Sequence, residues 1–223
     1  WPAWRKKTAR ERALILRKWN DLMLENADDL ALLMTAEQGK PLPEAKGEVA
    51  YAASFLEWFG EQAKRIEGDT LQSPWADRRT VVTREPIGVC ALITPWNFPL
   101  NQVVCKLAPA LAAGCTMVLK PSEIAPFSAQ VWAEILHAAG VPAGVFNLVN
   151  GDGAGVGTAL SSHPDVDMMS FTGSTRAGIL VAKAAADAVK RVAQELGGKS
   201  ANIILDDADL KTAVAGGVQS MMM

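Results

Sequence analysis

The segment TPWNFP, residues 94–99, sets one carboxamide, Asn97, between two prolines at the end of an apolar run, VCALI. Proline fixes φ, so such a loop has few conformations open to it. Four further segments place chemistry-bearing side chains directly after apolar runs. KPSE carries Lys120 and Glu123, and NGDGAGVG carries Gly153 and Gly157. FTGSTRAG carries Gly173 and Ser174, and ELGGKS carries Glu195 and Leu196. An amide, an ammonium, carboxylates, a hydroxyl and glycine-rich backbone, gathered at strand ends, describe a nucleotide site.

Each feature has a plainer alternative. The glycine run misses GxGxxG because Val156 stands in the third glycine's place, and a loose loop would look the same. GGKS is not a P-loop, since the required first glycine would be residue 193, which is Ala193. Ser174 opens a helix as an ordinary N-cap, and the same helix N-terminus would accept an anion. Lys120 and Glu123 could be a solvated loop, but Pro121 between them favours a fixed geometry. Glu195 is either satisfied by backbone N–H groups or kept as a base, and the sequence leaves both open. His137 and His163 are far apart, without metal-ligand spacing.

The elements that must position these groups follow from periodicity. Thr8 and Glu11 form a capping box ahead of a helix over residues 9–25. A second helix is predicted from Asp28 to Gln38 and stopped by Gly39, and a third starts near Pro43. Residues 68–86 alternate around a polar turn and read as a β-hairpin, which is marginal alone and should pair with another subunit. From residue 87, apolar strands alternate with helices, ending in RVAQEL, GGKS and the apolar ANIIL. This predicts an α/β fold with a doubly wound, mostly parallel, Rossmann-like sheet.

The 223 residues are 49% hydrophobic, enough for a sizeable core, with a net charge of −2. Mixed charges argue against nucleic acid as a partner. No run approaches a membrane span, and no signal-peptide pattern opens the chain. Three cysteines, Cys90, Cys105 and Cys115, lie in apolar surroundings as reduced packing residues, which fits a cytoplasmic protein. Both ends are abrupt, so the chain is expected to be a segment of a longer protein.

Taken in order, ITPWNFP, KPSE, FTGSTRAG and ELGGKS resemble the aldehyde dehydrogenase superfamily, and the resemblance covers essentially the whole chain. WPAWRKKTARERALIL, EQGKPLPEAKGEV and YAASFLEWF are most similar to its succinate-semialdehyde dehydrogenase branch. The resemblance implies a cofactor domain with N-terminal helices over 1–67, an oligomerisation arm over 68–86 and a dinucleotide-binding region over 87–197. Residues 198–223 would open a catalytic domain.

It also implies roles. Asn97 would donate its amide N–H to the aldehyde oxygen as that oxygen becomes an oxyanion. Glu195 would activate water to hydrolyse a thioester. Lys120 and Glu123 would hold the adenine ribose and Ser174 the pyrophosphate. Thr94, Trp96, Gly153, Gly157, Gly173 and Leu196 would line the cofactor cleft. The cofactor would be NAD in preference to NADP, because Glu123 would repel a 2′-phosphate. The partners would be a small aldehyde and further copies of the chain, as a homodimer or homotetramer.

The family's nucleophilic Cys lies beyond the position of Met223, and none of the three cysteines here matches it. Residues 1–223 alone are therefore expected not to oxidise aldehydes. Succinate-semialdehyde dehydrogenases place an Arg-Lys pair on the helix after PWNFP to hold the substrate's distal carboxylate. Here the pair reads Cys105-Lys106, and Lys106 would point about 100° away around the helix. An aldehyde without an obligatory distal carboxylate is therefore expected, with succinate semialdehyde as the alternative. A nucleotide-binding or interaction module without catalysis is the reading from another class.

Overall fold

The structure, a computed structural model, describes residues 1–222. A short turn α1 (Pro2–Arg5) precedes helices α2 (Ala9–Glu25), α3 (Ala27–Gln38) and α4 (Leu42–Gln62). The capping box forms as expected: the Thr8 hydroxyl accepts from the Glu11 N–H, and the Glu11 carboxylate accepts from the Thr8 N–H at 2.7 Å. Gly39 ends α3 at φ +81°, in the left-handed region that glycine adopts without strain.

Strands β1 (Asp69–Gln72) and β2 (Arg79–Val82) pair antiparallel as an isolated hairpin, with every strand residue exposed. The main sheet holds β3 (Val89–Ile93), β4 (Thr116–Lys120), β5 (Phe146–Leu148), β6 (Met168–Thr172) and β7 (Arg191–Glu195). Their order is β5-β4-β3-β6-β7, and all pairs are parallel. The chain winds outward from β3 to one edge, returns beside β3 and winds to the other. The switch point lies between β3 and β6, where open α/β sheets part at their carboxyl ends to admit ligands.

Alternation along the strands divides the core between the two faces. Cys90, Leu92, Met117 and Leu119 face α5 (Asn101–Ala113) and α6 (Phe127–Ala139), over which α2, α3 and α4 pack. Trp19 and Trp132 meet edge to face there, centroids 5.3 Å apart. Ala91, Ile93, Met169 and Phe171 face the other way, with Val181 and Ala185 of α8 (Thr175–Ala186).

Two local expectations are corrected. The glycine run is a π-helical turn, Gly153–Gly157, continuing into α7 (Thr158–Ser162), because the Asp152 carboxylate caps it by accepting from the Gly155 N–H at 2.6 Å. ANIIL forms no strand: residues 196–209 lack helix and strand, and Ile203 and Leu205 are exposed. A strand needs a partner edge, and none among the described residues reaches it. The last element is α9 (Leu210–Met222). No described helix is long and apolar enough to cross a membrane, and the described residues hold no cluster of metal-ligating side chains.

Candidate functional site

Directly after β3 stands Thr94, whose N–H donates to the Lys120 carbonyl at 3.2 Å and so extends the parallel ladder by one step. Beyond it the chain turns outward, leaving Trp96 and Asn97 exposed while Pro99 and Leu100 are buried. The Asn97 amide makes no hydrogen bond among the described residues and borders a cavity of about 420 Å³ with Trp96, Phe98 and Lys40. Its backbone is held from a distance. Lys40, in the turn between α3 and α4, donates to the Asn97 carbonyl at 2.8 Å and lies 3.7 Å over the Phe98 ring. The same ammonium pairs with Glu48 on α4, whose other oxygen accepts from the N–H groups of Leu100 and Asn101 at 2.9 and 3.0 Å. Glu48 thus satisfies orphan donors of the first turn of α5 and meets its dipole.

At the end of β4 the buried Lys120 ammonium donates to Glu123 at 2.8 Å and to the Pro121 carbonyl at 2.9 Å. Lys120 holds the half-exposed Glu123 carboxyl below the usual carboxylate range. Across the switch point, Ser174 caps α8 by accepting from the Ala177 N–H at 3.2 Å. Gly173 is required for space: a Cβ there would lie 2.6 Å from the Phe171 ring. Its N–H donates to the Glu195 carbonyl at 3.1 Å, which ties the ends of β6 and β7 together. Leu196 packs against Gly178 of α8, where a Cβ would stand 2.5 Å from a Leu196 methyl. Gly157 is buried beside Ile93, while Gly153 is exposed at the start of the turn.

The Glu195 carboxylate is exposed and receives no backbone N–H among the described residues. It borders a cavity of about 710 Å³ on the α5 face of β6 and β7, together with Cys105, Lys106 and Ser170. Burial lowers the Lys106 ammonium pKa and raises the Cys105 thiol pKa, with the Glu195 charge acting on both. Lys106 donates to Ser170 at 3.1 Å. The expected 100° divergence of positions 105 and 106 does not separate them, for both border one cavity. Cys105 is half-buried at the cavity wall, whereas Cys90 and Cys115 are buried in the core as expected.

The carboxyl edge of the sheet therefore carries Thr94 to Asn97 on β3, Lys120 and Glu123 on β4, Gly173 and Ser174 on β6, and Glu195 on β7. Three contributors were not foreseen. Lys40 and Glu48 act across more than fifty residues, which no local pattern reveals. Thr172, the last residue of β6, was within reach, since it stands in FTGST directly before Gly173.

Comparison with known proteins matches residues 1–223 to the aldehyde dehydrogenase family. The chain is 58% identical over 219 residues to the succinate-semialdehyde dehydrogenase [NADP(+)] of Escherichia coli (strain K12), covering 98% of this chain and 45% of that protein. It is 57% identical over 219 residues to the glutarate-semialdehyde dehydrogenase of Pseudomonas aeruginosa, with the same coverage. Among solved structures, betaine aldehyde dehydrogenase from Staphylococcus aureus in complex with NAD+ superimposes with a TM-score of 0.95 at 40% identity. That match covers 97% of this chain and 43% of that one. The chain thus spans just under half the length of these relatives, and it belongs to the aldehyde dehydrogenase family.

Proposed function

We propose that the protein oxidises an aldehyde to a carboxylic acid with NAD(P) as the oxidant, and that residues 1–223 supply the cofactor cleft, the oxyanion donor and the water-activating base. The observation that carries this reading is the convergence of Asn97, Lys120, Glu123, Ser174 and Glu195 on one sheet edge around the switch point.

One feature of the cleft supports a polar ligand there. The hydroxyls of Thr94 and Thr172, at the ends of the two strands flanking the switch point, are buried without a hydrogen-bond partner. Buried polar groups are rarely left so, and a polar ligand in the crevice would satisfy them. Lys120 and Glu123 would hold the adenine ribose, with Trp96 along the cleft. The N-terminus of α8 at Ser174 would meet the pyrophosphate, with Gly173 allowing close approach. Gly153, Gly157 and Leu196 would complete the walls. The bound cofactor would supply the two-electron acceptor.

The chain's own residues do the rest. A carboxamide held at a strand end donates to the aldehyde oxygen as negative charge develops there. Such a donor stabilises the transition state more than the ground state and is worth about 3–4 kcal/mol. Glu195, exposed and free of competing hydrogen bonds among the described residues, takes a proton from the water that cleaves the acyl-enzyme. The attacking thiolate would come from outside residues 1–223, as the resemblance to the family implies; Cys90 and Cys115 are buried in the core.

NAD is proposed over NADP. Lys120 keeps the Glu123 carboxyl ionised, and that carboxylate would oppose a 2′-phosphate carrying about −1.5 to −2 charge. The hairpin β1–β2 is proposed as the contact between copies in a homodimer or homotetramer, because all of its strand residues are exposed and its edges unpaired.

Position 105 bears on the substrate. Cys105 offers no cation to a distal carboxylate, which favours an aldehyde without an obligatory second acid group. A second reading, succinate semialdehyde, is favoured by the Lys106 ammonium bordering the same cavity and by the names of the relatives. The test is a panel of aldehydes of equal length with the full-length protein, following cofactor reduction. Higher kcat/KM for uncharged aldehydes supports the first substrate reading, and higher kcat/KM for the acid semialdehyde supports the second. No cofactor reduction with any aldehyde would refute the activity itself.

A further inference from the structure

We infer that Lys40 and Glu48 are positioning residues for Asn97, an ion pair that sets the aim of the oxyanion donor from the N-terminal helices; this rests on the proposed role of Asn97. The donor is a solvent-exposed side chain, so packing does not orient it. Its placement must come from the backbone, which sets the direction of its Cα–Cβ bond. Two prolines fix φ at residues 95 and 99, but they leave the Asn97–Phe98 peptide free to rotate. Lys40 removes that freedom by donating to the Asn97 carbonyl at 2.8 Å while lying over the Phe98 ring. Glu48 fixes the far end by accepting from the N–H groups of Leu100 and Asn101. The pair also joins itself, so the two anchors form one unit.

The setting strengthens the unit. The Lys40 side chain is 10% exposed and that of Glu48 fully buried. Charges held there attract strongly, and neither side chain swings out without stranding the other. A general role in folding would require only that α4 meet α5. The contact to the Asn97 carbonyl, one residue from the ring that Lys40 covers, is specific to the donor.

The experiment is a double-mutant cycle in the full-length protein, with Lys40→Met, Asn97→Ala and the pair, reading kcat with an aldehyde and the Kd of the cofactor. Lys40→Met is expected to lower kcat by about 10- to 100-fold, as a misplaced catalytic group does, with cofactor Kd unchanged. In the Asn97→Ala background the same substitution is expected to change kcat little, because coupled residues are not additive. If Lys40→Met does not fold, Glu48→Gln, which keeps an acceptor for α5, replaces it in the cycle. Wild-type kcat in the clamp variant, multiplicative losses in the double variant, or a parallel loss of cofactor affinity would overturn the inference. Failure of the oxyanion reading is separately visible: Asn97→Ala alone would turn over normally.

Discussion

Asn97 and Glu195 stand at the carboxyl ends of two strands of one sheet, and their surroundings differ sharply. The Asn97 loop follows the central strand β3 and is anchored by Lys40 and Glu48 over a core built from α2 to α6. Glu195 ends the edge strand β7, its carbonyl tied to the Gly173 N–H but with no ion pair behind it; its carboxylate, like the Asn97 amide, is exposed and without a hydrogen bond among the described residues. The difference suits the two tasks proposed for these residues. Stabilising an oxyanion demands a donor already in place when charge develops, because reorganising it would cost part of its benefit. Activating water demands a carboxylate that can reach a solvent molecule and release a proton afterwards, which an exposed group on an edge strand does.

The largest effect is expected on the unanchored side. Glu195→Gln keeps shape and removes the base, so steady-state turnover should fall by about 10²- to 10⁴-fold. Steady-state rates at saturating substrate check this; unchanged turnover would make Glu195 structural.

On the anchored side, Trp19→Ala removes a fully buried side chain and its edge-to-face contact with Trp132. It should destabilise the protein by about 3–5 kcal/mol, read by urea denaturation. A loss below 1 kcal/mol, on the order of a surface substitution, would break the claim that this side rests on the helical core.

A smaller effect is expected at Glu123. Glu123→Gln should shift the NAD-to-NADP ratio of kcat/KM toward NADP by about tenfold, the weight of one charge contact near the surface. The sign of the pH dependence follows from Lys120. Because the carboxyl pKa is lowered in the folded protein, the Glu123 contribution persists above the usual carboxylate range. It is lost only as pH falls through the lowered value. A preference for NADP in the unsubstituted protein would contradict the assignment.

Much of this architecture was legible locally. Thr8 and Glu11 announce α2, Gly39 ends α3, and β3, β4 and β6 each coincide with an apolar run. The strand-end groups were legible because parallel sheets gather their carboxyl ends on one edge, so Asn97, Lys120, Ser174 and Glu195 needed no long-range information. What sequence could not give is what spans the chain. Glu37 caps α6 from ninety residues away, and Glu48 caps α5 from more than fifty. Both are carboxylates in helices, with the spacing of ordinary surface residues. ANIIL misled for the converse reason: an apolar, β-branched run becomes a strand only where an edge is present to receive it.

The contrast between the two sides is tested most directly by rapid mixing of the full-length protein with aldehyde and cofactor, comparing the first-turnover burst of reduced cofactor in Asn97→Ala and Glu195→Gln. Oxyanion stabilisation acts before reduction and water activation after it. The burst in Glu195→Gln should therefore keep its rate and be followed by slow turnover, while in Asn97→Ala it should slow by about 10²-fold or more. A normal burst in Asn97→Ala, or its loss in Glu195→Gln, would contradict the assignment of the two residues.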